Sequence, residues 1–469
     1  MLKLVRLLFL ALLATALVWA IVVWQWQTSR RAIDTQDILL YLVLLPLLVV
    51  GGALALRWAW RRAALAQAAR ASAAASAAAP AAAAPVAERQ LTMQVLAQGI
   101  AMPGAGDTDS ALELINEPPP VQLDPLFRDG DGLGVFSRRC TGIEGEAPAR
   151  AVQLAEQAIA PVLQWLHQAA PPVEPPAPEE AEAQHPTLVT RRRAAPVAKP
   201  SLHLLWGVDE RHDAQARAAI AQQAGTLLGQ WAAQLPAFDW QLEVSAVRSG
   251  VALLLQAERR LVMSHRDGRD DRLLVLAAES LVDEALVDRL DAAGQLFTAQ
   301  RPSGVMPGEA AAALLLAPPA RDTSTPAADG GAPAVQLHRL SAQRRDKSAD
   351  APGHLAATEL TEAVRQAIEV SQVPVEQLSR AVSDTDLQRS RTSEFFDALQ
   401  QVAPRLGQME LCRCAGAATG SVGIAAAPLA LALAAAQVQR GQAPTLMLSH
   451  ADPFDRLAVV LSAPANPTA

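Results

Sequence analysis

Two stretches near the start of the chain lack any charged residue and match the thickness of a lipid bilayer. Leu7–Trp24 reads LLFLALLATALVWAIVVW, and Ile38–Leu56 reads ILLYLVLLPLLVVGGALAL. A helix needs about 20 apolar residues to cross roughly 30 Å of hydrocarbon. Pro46 and Gly51-Gly52 are tolerated in membrane helices. Trp24, Trp26, Tyr41, Trp58 and Trp60 stand where interfacial aromatics belong. Lys3 and Arg6 precede the first run, and Arg57, Arg61 and Arg62 follow the second. Arg30 and Arg31 lie between the runs, and Asp34 and Asp37 count little in the positive-inside rule. The pattern predicts a transmembrane hairpin over residues 1–62 with both ends inside. The alternative is a signal peptide cleaved near Ala14-Thr15-Ala16, but the second run and the WAWRR after it would still anchor the chain. The main domain is therefore expected in the cytoplasm, tethered to a bacterial inner membrane.

Composition narrows the rest. The 469 residues carry a net charge of −7, which gives no nucleic-acid signature. Hydrophobic residues make up 51% and aromatics only 4%, so the excess is Ala and Leu in helices and low-complexity tracts. Three cysteines, Cys140, Cys412 and Cys414, are too few and too odd for a disulfide framework and fit a reducing compartment. Cys412-Arg413-Cys414 lacks a partner pair, and the eight histidines are scattered, so no metal and no cofactor are expected. Arg191-Arg192-Arg193 reads as a solvated linker, with a phosphate or anionic-lipid contact as the alternative.

Residues 63–89 form an Ala/Pro-rich tether. Three biased excursions, 171–200, 318–333 and 343–353, interrupt the chain beyond it. Between them, short apolar strands alternate with helical patterns. Thr92–Ala101, Leu202–Val208, Gln241–Val247, Arg272–Ala277, Ala310–Leu316, Ala381–Asp386, Thr445–Ser449 and Leu457–Ser462 read as strands. Ala149–Ala169, kinked at Pro161, reads as a helix, as do Asp213–Leu235, Gly250–Ser264, Val282–Ala293, Leu360–Ser371, Arg391–Val402 and Gly420–Gln439. This alternation predicts an α/β protein with its sheet covered on both faces.

Four segments give that order a family likeness. VALLLQAERRL (Val251–Leu261) runs into the strand DRLLVLAAESL. LVDRLDAAGQLFTAQRPSGVMPGEAAAALLLA starts at Leu286. LCRCAGAATGSVGIAAAPLALALAAAQVQRGQAP starts at Leu411. LMLSHADPFDRLAVVLSA closes the chain's last strand pair. Over Ser245–Ala463 these resemble the thiolase-like superfamily, in particular the β-ketoacyl synthases. The resemblance implies a thiolase-like layered αβαβα domain after the two transmembrane helices. Its N-terminal lobe would span 90–240, matched by element order alone, and its C-terminal lobe 241–465. Gly308-Glu309 is expected to make a tight turn that sets the register of a strand buried on both faces. Gly416, Gly420 and Gly423, among Ala, Ser and Thr, are expected to let a helix approach another backbone closely.

The resemblance also implies a chemistry that the residues here lack. The family needs a Cys at a strand-to-helix turn, where the helix N-terminus favours the thiolate and an oxyanion hole. It also needs two His, or His and Asn, to act on the thioester. The turn before Val251 offers Ser245 and Ser249 and no Cys, with Arg248 where small residues are usual. Ser383 falls at the first His position and Cys414 at the second. The closing glycine loop falls on ADPFDR. Ser249 has no His or Asp at motif spacing, and Cys414 reads as a small buried residue. His203, His212 and His450 share no ligating spacing. Asp384 and Asp386 read as turn residues, with a carboxylate pair as the alternative. The expectation is a pseudoenzyme acting as a scaffold or adaptor, in an envelope or secretion assembly. It implies a protein partner, in a homodimer or a heterodimer with a related chain. The alternative is a divergent acyl-transferring or acyl-binding enzyme of fatty-acid or polyketide metabolism.

Overall fold

In the computed structural model the described residues are 90–170, 199–319, 334–351, 355–386 and 388–464. The two apolar runs, the tether, Arg191–Arg193 and most of the excursions 171–200 and 318–333 lie outside them. No helix among the described residues is long and apolar enough to cross a membrane.

The strands repeat one plan twice. In chain order the first half holds β1 (Met93–Ala101), β4 (Ser201–Asp209), β5 (Asp239–Val247), β6 (Arg272–Ser280) and β7 (Glu309–Ala317). They lie side by side as β5-β4-β6-β7-β1. β4, β5 and β6 are parallel, and β7 runs antiparallel to both β6 and β1. The second half starts with β8 (Val335–Leu337) and β9 (Ser341–Arg344). β10 (Arg380–Ser383), β11 (Cys412–Cys414), β12 (Thr445–Ser449) and β13 (Asp455–Ser462) come next. Its order, β11-β10-β12-β13 with β8 and β9 beyond, repeats the first half step for step, directions included. β8 pairs with both β13 and β1 and so joins the halves into one sheet. A two-stranded sheet, β2 (Gln122–Arg128) and β3 (Gly134–Ser137), stands apart.

Helices fill the layers because each strand's alternate residues face opposite ways. Leu274 and Leu276 of β6 pack outward with α2 (Ala147–Gln168) and α3 (Ala214–Gln234). Leu273 and Val275 pack inward with α4 (Gly250–Arg266) and α9 (Ala426–Gly441). Across that central layer lie Leu457, Val459 and Leu461 of β13. Ala458 and Val460 face the far side with α6 (Thr358–Ser371) and α7 (Arg389–Val402). The result is five layers, α-β-α-β-α. α9 is buried nearly all round, and Leu429, Leu431 and Leu433 are fully covered. Each such leucine contributes about 1.5–3 kcal/mol, and the alanines between them bring both sheet halves close. The shorter α-helices among the described residues are α1 (Thr108–Asn116), α5 (Glu284–Ala292) and α8 (Ala415–Thr419).

Several expectations need correction. The helix expected over Gly420–Gln439 is broken. α8 ends at Thr419, Gly420 and Gly423 adopt positive φ, and α9 starts only at Ala426. Positive φ cannot continue a right-handed helix. The lobe boundary drawn at 240/241 cuts through β5, whereas the repeat divides between β7 and β8. The excursion at 343–353 begins inside β9. Strand Ala381–Asp386 stops at Ser383. Gly308-Glu309 is more than a turn. Glu309 opens β7 fully buried and accepts hydrogen bonds from Arg150, Ser280 and the Cys140 amide.

Candidate functional site

The parallel strands of both halves end at one cleft, where α/β sheets usually carry their sites. β4 ends there in Asp209, β6 in Glu279 and Ser280, β10 at Asp384 and β12 in Ser449. Between them lies a cavity of about 500 Å³. Its wall includes Ser249 at the tip of α4 and the loop Gly420–Gly423. The glycines are steric requirements. A Cβ on Gly416 would stand 2.5 Å from the Thr385 carbonyl oxygen, and one on Gly420 2.8 Å from that of Met306. One on Gly423 would stand 3.1 Å from Glu279 Cγ.

Ser249 occupies the tip expected of a nucleophile, yet its hydroxyl is committed elsewhere. Oγ accepts from the Ala252 amide at 3.1 Å, as an N-cap does. It donates to Asp455 Oδ2 at 2.6 Å. Burial raises the Asp455 pKa, but the Ser249 hydrogen bond and the Arg248 and Arg344 guanidiniums outweigh it and hold the carboxylate below 3.8. Such a carboxylate is a poor base. Ser245, four residues earlier, donates to Gln256.

Ser383 and Cys414 are register partners on β10 and β11, so the sheet does bring together the two positions matched to histidines. Neither carries an imidazole. Ser383 is fully buried and shares a 2.5 Å hydrogen bond with Thr385 Oγ1. Burial pushes the Cys414 thiol up to about 11, which keeps it protonated at neutral pH. Burial likewise raises Cys412 to about 12.

His450, on the residue after β12, is fully buried and stacks on Phe395 with ring centroids 5.8 Å apart. Burial, with Arg456 and Arg391 nearby, pushes its pKa well below 6.5, so the ring is neutral. Nε2 lies 3.2 Å from the Arg391 carbonyl oxygen and 3.0 Å from Thr385 Oγ1. A carbonyl only accepts, so Nε2 carries the proton and cannot take one from Thr385. His203 stands outside the cleft, near Ser201 and Asp271 at the start of β4 and β6.

Asp384 and Asp386 act as turn residues. Asp384 accepts from the His450 and Ala451 amides and from Ser449, and Asp386 from the Gln388 amide. Burial nevertheless raises Asp384 to about 6 and raises Asp386 as well. A carboxyl whose folded pKa lies above its unfolded value binds more protons when folded. Its contribution to stability is therefore present below 3.8 and is lost as pH rises towards about 6. Asp384→Asn keeps the acceptor oxygen and drops the charge. Denaturant melts from pH 4 to 7 should show this variant losing less stability than wild type across that window. A parallel pH dependence would contradict the assignment.

One pair has no signature in the sequence. His212 Nε2 lies 3.2 Å from Glu279 Oε1. Glu279 is almost wholly buried, and burial raises its pKa against the pull of His212. The Glu279 hydrogen bond raises that of His212. Both shifts favour a proton held within the pair. The residues are 67 positions apart, and only the adjacency of β4 and β6 brings them together.

No family model matches the sequence, and no curated protein matches it. Solved structures do resemble the fold. A chain from a type II polyketide synthase acyl-carrier protein in complex with its ketosynthase superposes with TM-score 0.55 at 12% identity, over 80% of this chain and 100% of that one. A ketosynthase in complex with its chain length factor from Xenorhabdus doucetiae gives 0.52 at 11%, over 80% and 98%. A ketosynthase of the bacillaene synthase from Bacillus amyloliquefaciens gives 0.53 at 12%, over 82% and 74%. The architecture is a ketosynthase-like, thiolase-type fold.

Proposed function

We propose that this chain puts a ketosynthase-like fold to use in binding, as a catalytically silent scaffold or adaptor held at a bacterial inner membrane by the hairpin over residues 1–62. The observation that carries this reading is Ser249. The one hydroxyl at the tip of α4 is held by Asp455 and by its own helix, and no histidine among the described residues shares a hydrogen bond with it. Ser383 and Cys414 stand where the resemblance calls for imidazoles. A protein partner fits β5, nine residues long, which has no strand on its outer side among the described residues; unpaired edges invite pairing. Two of the similar structures are complexes of a ketosynthase with a carrier protein or a chain length factor, which favours a related chain or carrier protein as that partner.

The test is covalent loading. The full-length protein, purified in detergent, is incubated with short and long acyl thioesters and its intact mass is measured. The expected spectrum shows no adduct. An acyl group on Ser249 or Cys414 would replace the scaffold reading with that of a divergent acyl-transfer enzyme.

A further inference from the structure

A second cavity lies at the other end of the sheet. α4 starts just after Ser249 beside the cleft, and its 17 residues carry the chain about 25 Å to Arg266. Near that far end, between α4 and the first residues of β6, a pocket of about 320 Å³ opens. That volume is enough for a small polar headgroup. Leu261 and Leu273 belong to its wall and are buried, while Met263 beside them is 47% exposed. Arg259, Arg260 and Arg269 line it with His203, against one carboxylate, Asp271, among the described residues. Arg272 is also in the wall, but its guanidinium lies over Trp165 and Phe238 on the sheet's other face. Arg260 is paired with Glu243, and Arg269 with Asp267 and Asp271. Arg259 has no ion pair with any described residue. The helix dipole does not account for it either. That effect is confined to the last turn, and Arg259 stands about two turns before the end of α4.

The strand register says what stands near this pocket. Leu273 in its wall pairs with Leu316, and Leu316 pairs with Val95. The start of β1 therefore lies two strands away, about 10 Å across the sheet. Through that start the domain continues into the Ala/Pro-rich tether and the hairpin predicted over residues 1–62. An unpaired arginine and an exposed methionine thus share the end of the sheet at which the chain arrives from its predicted anchor.

We propose that this pocket takes the phosphate of an anionic phospholipid headgroup from the membrane that anchors the chain. Arg259 supplies the free guanidinium, whose planar fork suits phosphate oxygens. Met263 enters the interfacial layer beside it, as apolar side chains do at a bilayer surface. The cytoplasmic leaflet is anionic and attracts arginines held close to it. The site rests on the anchored reading above and adds a lipid contact to it, away from the cleft.

The test uses the full-length protein in lipid nanodiscs, with Met263→Cys carrying a polarity-sensitive bimane. Cys140 and Cys412 are buried, and labelled wild type corrects for Cys414. Emission should move to the blue as phosphatidylglycerol replaces phosphatidylcholine, and should stay put on phosphatidylcholine alone. Arg259→Gln in that background should raise the phosphatidylglycerol fraction at half-maximal shift about fivefold. Arg365→Gln, on the exposed side of α6, should leave it unchanged. Leu126 is 71% exposed on the hairpin beside Gly308, at the cleft's end of the sheet, and bimane on Leu126→Cys should not shift. No shift with phosphatidylglycerol, an equal shift at Leu126, or equal effects of the two arginine variants would overturn the proposal. So would the same shift from inorganic phosphate on phosphatidylcholine discs, which would make this a site for the free ion. A protein that fails to enter the discs would overturn the anchored reading and this site with it, whereas entry without a shift overturns the site alone.

Discussion

Replacing Gly308 by alanine is expected to leave the protein unable to reach its native state, a loss above about 4 kcal/mol. An added Cβ would stand 1.8 Å from the Thr419 carbonyl oxygen and 2.9 Å from its carbon. Neither backbone can yield. Gly308 N donates to the Ser421 carbonyl at 3.0 Å, and the Gly308 carbonyl accepts from Leu281 N at 2.9 Å. Ser421 N in turn donates to Met306 O at 2.9 Å. These bonds tie β7 of the first half to the glycine loop of the second. One methyl therefore pushes apart the two halves of the repeat, and interiors packed as densely as crystals relax poorly. Gly229, on α3, has nothing within 4 Å of its would-be Cβ. Gly229→Ala should stabilise by about 0.5–1 kcal/mol through helix propensity. Circular dichroism melts of both variants check the contrast. A Gly308→Ala protein melting within a few degrees of wild type would show that the halves do not meet as closely as described.

This junction also shows where the residues are legible. The run after Glu309 is plain because β7 is buried on both faces: Ala310, Ala312, Leu314 and Leu316 face the central layer, and Ala311, Ala313 and Leu315 face α2. A strand of that kind announces itself by composition. Thr445–Ser449 is legible to its observed bounds for the same reason, all five residues being buried. The hairpin of β2 and β3 escapes because most of β2 is exposed and carries no alternation. Gly420–Gln439 looks like one helix because alanine propensity dominates any window of it, whereas the break depends on backbone angles at two glycines. The resemblance to condensing enzymes locates the cleft through Ser249, which lines it, while Ser383 and Cys414 pair on β10 and β11 outside its wall. It cannot supply their partners. Asp455 lies 206 residues from Ser249, and His212 meets Glu279 only because β4 and β6 pair side by side. Sequence spacing records neighbours along one helix or strand, and these contacts arise between strand ends.

Glu309→Ala is the second large effect expected, a loss of about 3–5 kcal/mol. Glu309 is fully buried and Arg150 is 2% exposed. Arg150 Nη2 lies 2.5 Å from Oε1 and Nε 2.8 Å from Oε2, a two-pronged pair. The Cys140 amide and the Ser280 hydroxyl complete the carboxylate's shell at 2.5 and 2.8 Å. Alanine would strand a guanidinium and two further donors in a dry interior, and most of the loss comes from that rather than from the pair's own strength. The distinction is measurable. Arg150→Met with Glu309→Leu removes both charges, fills the space with apolar atoms and should recover more than half of the loss in denaturant melts. Its residual deficit reports the orphaned Cys140 and Ser280 donors. A double variant as unstable as Glu309→Ala would mean that the ion pair itself holds α2 to β7. Full recovery would mean that those two donors find other acceptors. Only the first of these outcomes would make the first half's outer helix depend on one carboxylate at the entrance of β7, beside the glycine that closes the repeat.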